Sequence, residues 1–216
     1  MILGLIYLVF QQFLLPVLLA LVMPLLPQQS NAVYNFIIMA VNFTASTIIF
    51  RKLIGRSAQR ALQDPFLCLR TAGIGFVANY VLTLLVSILV TVICPDFMNV
   101  NDQNLDTMIS TNYSLMAVSI VFLAPVSEEL LYRGLLFGGL HRRSRFAAYL
   151  VSTVIFSLMH VIGYIFHCDV GTLLLCFLQY LPASLCLAWA YERSGSIFTP
   201  ILIHIAVNQF SLQVMR

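Results

Sequence analysis

Ala124-Pro125-Val126-Ser127-Glu128-Glu129-Leu130-Leu131-Tyr132-Arg133-Gly134 sits in the middle of an apolar run, residues 112–140, that is long enough to cross a bilayer. Three ionisable side chains so close together are costly at that depth, and such a cluster is by default a functional site. Successive residues of a helix are rotated by about 100°, so Glu128 and Glu129 face different ways. Arg133 follows Glu129 by four positions, the spacing at which two side chains meet on one helix face. A Glu129–Arg133 pair therefore compensates itself within its own helix. Glu128 has no partner in the segment, and a carboxylate left alone inside a membrane is suited to act as a general base. The plainer reading is that all three charges only tie helices together.

The rest of the chain places that stretch in a membrane. Of 216 residues, 61% are hydrophobic and 9% charged, whereas a soluble domain has about a quarter charged. The composition specifies an all-α, polytopic transmembrane helical bundle whose surroundings are the lipid bilayer. The net charge of +3 is no argument for nucleic acid, because the few basic residues lie in short loops and report orientation instead. None of the cysteines at 68, 94, 168, 176 and 186 forms a CxxC pair, so a zinc–thiolate site is not indicated. Cys94 and Cys168 fall on the same side of the bundle, which allows a disulfide; unpaired, small apolar cysteines are the simpler reading.

Residues 2–27 lack a positive n-region and a small-residue cleavage site, so they read as a first span ended by Pro24 and Pro27 rather than as a signal peptide. The turn Gln28–Asn31 leads to a second span at about 32–50. Arg51, Lys52, Arg56, Arg60 and Arg70 against a single Asp64 mark a cytoplasmic loop with a short surface helix. A third span covers about 71–94. The loop Pro95–Thr111 holds Asp96, Asp102 and Asp106 and no Lys or Arg, which puts it outside. The fourth span, about 112–140, ends in the basic His141-Arg142-Arg143-Ser144-Arg145. The fifth (about 147–166), sixth (about 171–190) and seventh (about 196–213) complete the chain. About seven spans with a cytoplasmic N-terminus put both basic loops inside. With no repeat or low-complexity tract, residues 1–216 read as a single membrane domain.

Other strong polar residues at membrane depth are few. Phe156 and His160 share a face of the fifth helix; His204 and Asn208 share a face of the seventh. At 1.5 Å per residue, Glu128 and His160 each lie about 20 Å from the basic ends of their helices, and His204 about 12–15 Å. The three are thus able to share a layer. In that case Glu128 and His160 can hold and deprotonate a water, while His204 and Asn208 offer N–H donors to an oxyanion. Such a set hydrolyses an amide without a covalent intermediate. The same Glu and His residues also suit Zn²⁺. No His-Glu-x-x-His motif occurs, however, and Asn is a poor zinc ligand, so catalysis without a metal or other cofactor is favoured.

Together, Glu128-Glu129-x-x-x-Arg133, Phe156-x-x-x-His160 and His204-x-x-x-Asn208 resemble the CPBP family. It comprises the type II CAAX prenyl endopeptidases and their prokaryotic relatives, including bacteriocin-processing and immunity factors. The resemblance covers residues 112–212, which would carry the catalytic core. It implies a glutamate-dependent intramembrane peptidase whose cavity is reached from the cytoplasmic side. Glu128 would be the base, His160 its partner on the water, and His204 with Asn208 the oxyanion site; Glu129, Arg133 and Phe156 would support them. The implied partner is a peptide or lipid-anchored protein substrate. Prenyl recognition is not encoded in these motifs, and a peptide precursor in a prokaryotic plasma membrane is the expectation.

Two other readings use the same residues. The family is also linked to immunity and to regulation of membrane histidine kinases, so the chain can be a non-proteolytic scaffold. A proton-coupled transporter would use the buried Glu and His residues as a relay, although no two repeated halves are visible.

Overall fold

The start of the longest span is set by Asp64-Pro65. Asp64 accepts a hydrogen bond from the Leu67 amide at 2.9 Å, and Pro65 takes the first helical position, where its missing N–H is not needed. The helix therefore runs Pro65–Ile93 and begins well before residue 71. This computed structural model describes residues 2–22 and 30–214, and every regular element among them is helical. In chain order these are α1 (residues 2–22, with a π turn at Phe10–Leu14), α2 (Asn31–Ile49), α3 (Arg51–Gln63), α4 (Pro65–Ile93) and α5 (Val100–Thr111). They are followed by α6 (Tyr113–His141), α7 (Arg145–Val161), α8 (Val170–Ser194) and α9 (Phe198–Val214).

Among the described residues, α2, α4, α6, α8 and the run Arg145–Tyr164 that contains α7 are the five long and apolar enough to cross a membrane. The chain is a multi-pass integral membrane protein. The count of about seven is not confirmed. α9 has 17 residues, at the lower limit for a hydrocarbon core of about 30 Å. Pro24, Pro27 and most of the turn after them lie outside the described residues. The basic loop does hold a helix, α3, with Arg51, Lys52, Arg56 and Arg60 on it.

Alternating helix directions collect α3, the turn at 142–144 and the end of α8 at one, basic, end of the bundle. α5 and residues 165–169 lie at the other. α6 is the most enclosed of the five spanning helices and packs against α2, α7 and α9; α4 packs against α8 and α9, and α7 against α8. Gly134 lets α6 approach α3 closely, since a Cβ there would run into the Leu53 side chain. All five cysteines are free.

α6 is irregular in two places, with π turns at Ser119–Leu123 and Leu130–Phe137. In the first, the Ala124 amide bonds back five residues to the Ser119 carbonyl. The next amide in that register would serve the Ile120 carbonyl, but residue 125 is proline and has none. Asn208 of α9 supplies the missing donor, its Nδ2 lying 2.8 Å from the Ile120 oxygen. A sequence-local defect is thereby repaired from another helix, and α9 is tied to α6 about two turns before the glutamates.

Candidate active site

Consecutive positions on α6 send the two glutamates to different surroundings. Glu129 and Arg133 are sealed, with side-chain exposure of 0% for both, and Arg133 Nη1 lies 3.0 Å from Glu129 Oε1. That same oxygen lies 2.9 Å from His204 Nδ1. Arg133 Nη2 donates to the carbonyl and the hydroxyl of Ser184 on α8, both at 3.0 Å. Its guanidinium also stands over the Phe156 ring, 4.4 Å from the centroid, an attraction of about 1–2 kcal/mol when desolvated. Glu129 and Arg133 thus join α6, α7, α8 and α9.

Glu128 is 22% exposed and His160 21% exposed, and Glu128 Oε2 and His160 Nε2 are 4.0 Å apart. The imidazole is oriented from its other side. His160 Nδ1 lies 2.9 Å from the Phe156 carbonyl, which can only accept, so Nδ1 carries a proton and a neutral ring turns a lone pair at Nε2 toward the carboxylate. Tyr180 of α8 stacks on that ring at 4.3 Å, and Phe156 packs at 4.6 Å. The Tyr180 hydroxyl is itself held, accepting from Asn101 Nδ2 at 3.0 Å and lying 3.3 Å from Asp102 Oδ1.

Glu128, His160, His204 and Asn208 all line one cavity of about 570 Å³. On the side of α6 and α7 it is lined by Glu128, Tyr132 and Phe156. From there it runs to α5, and it includes no residue of α3 or of the basic turn at 142–144. The resemblance implies access from the cytoplasmic side; the cavity instead extends toward the acidic end, opposite the basic loops. The physical reason is the plug beneath Glu128. The Glu129–Arg133–Ser184 network, the Tyr132–Phe156 pair and the Phe137, Tyr149 and Tyr191 rings fill the basic half of the bundle.

All seven residues picked from the sequence are therefore brought together, in two groups. Glu128 and His160 face each other across the cavity. Glu129, Arg133 and His204 form a buried cluster beside it, with Phe156 between the two groups. Asn208 lines the cavity but commits one amide hydrogen to Ile120. Sequence reasoning missed the link from Glu129 to His204, because nothing local relates residues 75 positions apart. It also missed Ser184 and Tyr180, which look like ordinary span residues.

These features define the class: a helical, multi-pass membrane protein with a carboxylate–imidazole site inside the bundle. Residues 110–210 match the model of the type II CAAX prenyl endopeptidase Rce1-like family, so the resemblance drawn from the three motifs is borne out over that stretch. Among curated proteins the chain is similar to "UPF0177 protein YxdF" of Lactococcus lactis subsp. lactis (strain IL1403). The two are 31% identical over 88 residues, 41% of this chain and 43% of that protein. It is also similar to "Putative membrane peptidase YdiL" of Bacillus subtilis (strain 168), at 32% identity over 97 residues, 44% of this chain and 35% of the relative. The chain thus spans less than half the length of these bacterial relatives. No solved structure matches it significantly.

Proposed function

We propose that the protein is an intramembrane endopeptidase in which Glu128 and His160 together activate a water molecule. The observation that carries this reading is the gap of 4.0 Å between Glu128 Oε2 and His160 Nε2, two residues that line the cavity. Both groups are acceptors when the ring is neutral, so they do not bond to each other. Two hydrogen bonds of about 2.8 Å meeting at about 105° span about 4.4 Å, close to the observed gap. A water there donates one hydrogen to each group and turns its lone pairs outward, toward a substrate carbonyl. As it attacks, its proton passes to the Glu128–His160 pair, which later returns it to the departing amine.

His204 serves the oxyanion in this reading. Glu129 accepts from Nδ1, so Nε2 is left to the cavity, where in the protonated ring it donates to the tetrahedral intermediate with Glu129 balancing the charge. Glu129 is then a positioning residue as well as the partner of Arg133. Asn208 holds the π turn of α6 in place and has one further amide hydrogen to offer.

The reaction is proposed to need no metal. Glu128, His160 and the cavity-facing Nε2 of His204 are the site's open donors, but among the described residues no group of three or more His, Cys, Asp or Glu side chains is placed to hold one ion together, as the three protein ligands of a catalytic zinc site must be. Similarity to an Rce1-like model and to a protein bearing the name of a membrane peptidase supports the activity; the substrate is a peptide or the peptide part of a membrane-associated protein. Purified protein in nanodiscs, incubated with quenched-fluorescence peptides, tests this. Glu128→Gln and His160→Ala are expected to lose about 10²–10⁴-fold in rate without loss of fold, and a strong chelator to leave the wild type active. Equal turnover in the wild type and both variants would refute the proposal.

A further inference from the structure

The cavity above Glu128 carries more polar chemistry than the hydrolytic pair uses. Seven of the chain's nine asparagines line it, Asn31 and Asn112 being the exceptions, whereas none of the lysines and arginines among the described residues does. Asn35 and Asn42 on α2, Asn79 on α4 and Asn208 on α9 lie within the bundle, where a lone carboxamide in hydrocarbon is costly, so their gathering around one space asks for an occupant. Asn79 is 3% exposed and its Oδ1 has no partner. Asn42 accepts from the Tyr7 hydroxyl through Oδ1, which leaves its amide hydrogens for the cavity. Nearer α5, Asn99 Nδ2 donates to Gln179 Oε1 at 2.8 Å and holds both carboxamides against the cavity wall.

A carboxamide carries both a donor and an acceptor, and so does each peptide group of an extended chain. The two are complementary at every residue whatever the side chains. A prenyl chain, by contrast, would cover these groups and satisfy none of them. Charge adds a second constraint. Glu128 on α6 and Asp102 on α5 both line the cavity, and among the described residues the one guanidinium close to the site, Arg133, is sealed with Glu129. A terminal carboxylate entering here meets two like charges and no lysine or arginine of the described residues.

We infer that the cavity takes an uncharged stretch of extended peptide main chain and excludes a free C-terminal carboxylate, so that the bond presented to Glu128 is internal to the substrate. The last clause rests on the peptidase reading; the binding preference does not.

The test is therefore a binding measurement on the His160→Ala variant in nanodiscs, which keeps the Glu128 carboxylate and retains bound peptide without rapid hydrolysis. The probe is an N-acetylated peptide of about twelve Ala, Ser, Gly and Leu residues, about 40 Å when extended, made once as the C-terminal amide and once as the free acid. The amide is expected to bind at least about tenfold more tightly. Asn79→Leu is expected to weaken the amide, and Asp102→Asn to narrow the difference between the two forms. Equal affinity for acid and amide, or tighter binding of S-farnesylcysteine methyl ester than of the amide, would overturn the inference. Wild-type protein given the same peptides separates the two readings. Tight binding of the amide without cleavage leaves this inference standing and the peptidase reading refuted. Equal cleavage of peptides whose scissile bond adjoins a free carboxylate does the reverse.

Discussion

Replacing Arg133 with methionine removes one half of a sealed ion pair while keeping most of the side-chain volume. Neither partner reaches solvent, so Glu129 cannot recover its stabilisation from water. Breaking a buried pair from one side costs about 3–5 kcal/mol, because a desolvated charge is left uncompensated. Two hydrogen bonds to Ser184 and the stacking on Phe156 are lost as well, but interhelical polar contacts in membranes average only about 0.6 kcal/mol. The buried carboxylate, left with His204 in place of its guanidinium, therefore dominates, and Arg133→Met is expected to destabilise by about 3–5 kcal/mol. Glu129→Leu combined with Arg133→Met removes both charges and should recover about 2 kcal/mol or more relative to the sum of the single changes. Recovery stays incomplete because His204 Nδ1 keeps no partner. Reversible unfolding in mixed micelles, followed by far-UV circular dichroism across the four members of the cycle, measures this. A single-variant loss below about 1 kcal/mol, or a strictly additive double variant, would refute the idea that these charges are energetically sealed.

Asn208→Ala should cost about 1–3 kcal/mol by orphaning the Ile120 carbonyl, and Pro125→Ala in the same chain should restore part of it by returning a backbone N–H; the paired melting temperatures check this. Gly134→Ala is expected to destabilise by about 1–3 kcal/mol through the clash with Leu53, and Leu53→Ala to relieve it, read by the same unfolding assay. Asp169 caps α8, accepting from the Thr172 hydroxyl at 2.6 Å and from the Thr172 amide at 3.1 Å, and these bonds hold its carboxyl below the usual range. Its contribution to stability is therefore complete above about pH 4 and is lost as the pH falls through the lowered value. Asp169→Ala should reduce the unfolding midpoint at neutral pH and converge with the wild type in acid; a constant difference across that range would contradict the assignment.

Much of the architecture was legible because a bilayer imposes it. Apolar runs near the required length, acidic and basic loops in alternation, and Asp-Pro or Asn at helix starts are local signals. The basic stretch after residue 50 announced a surface helix, and α3 is there. Asp64-Pro65 is a cap and first turn, yet the uninterrupted apolar run starts only after Arg70 in the second turn, which is why the span begins earlier than its hydropathy suggests. The number of spans is not fixed by these signals, since α9 has 17 residues, near the lower limit of length.

Spacing along one helix also revealed that Glu129 meets Arg133 and that Glu128 faces elsewhere, since a helical repeat relates neighbours without any tertiary information. The sequence by itself therefore determined the membrane class, the helical content and which carboxylate of the pair stands apart. Only the tertiary structure decided that Glu129 also holds His204, that Asn208 completes a turn broken by Pro125, and that the cavity runs toward α5. Those relations join residues tens of positions apart through packing of separate helices, and hydrogen bonds between helices leave no periodic trace in either strand of sequence that makes them.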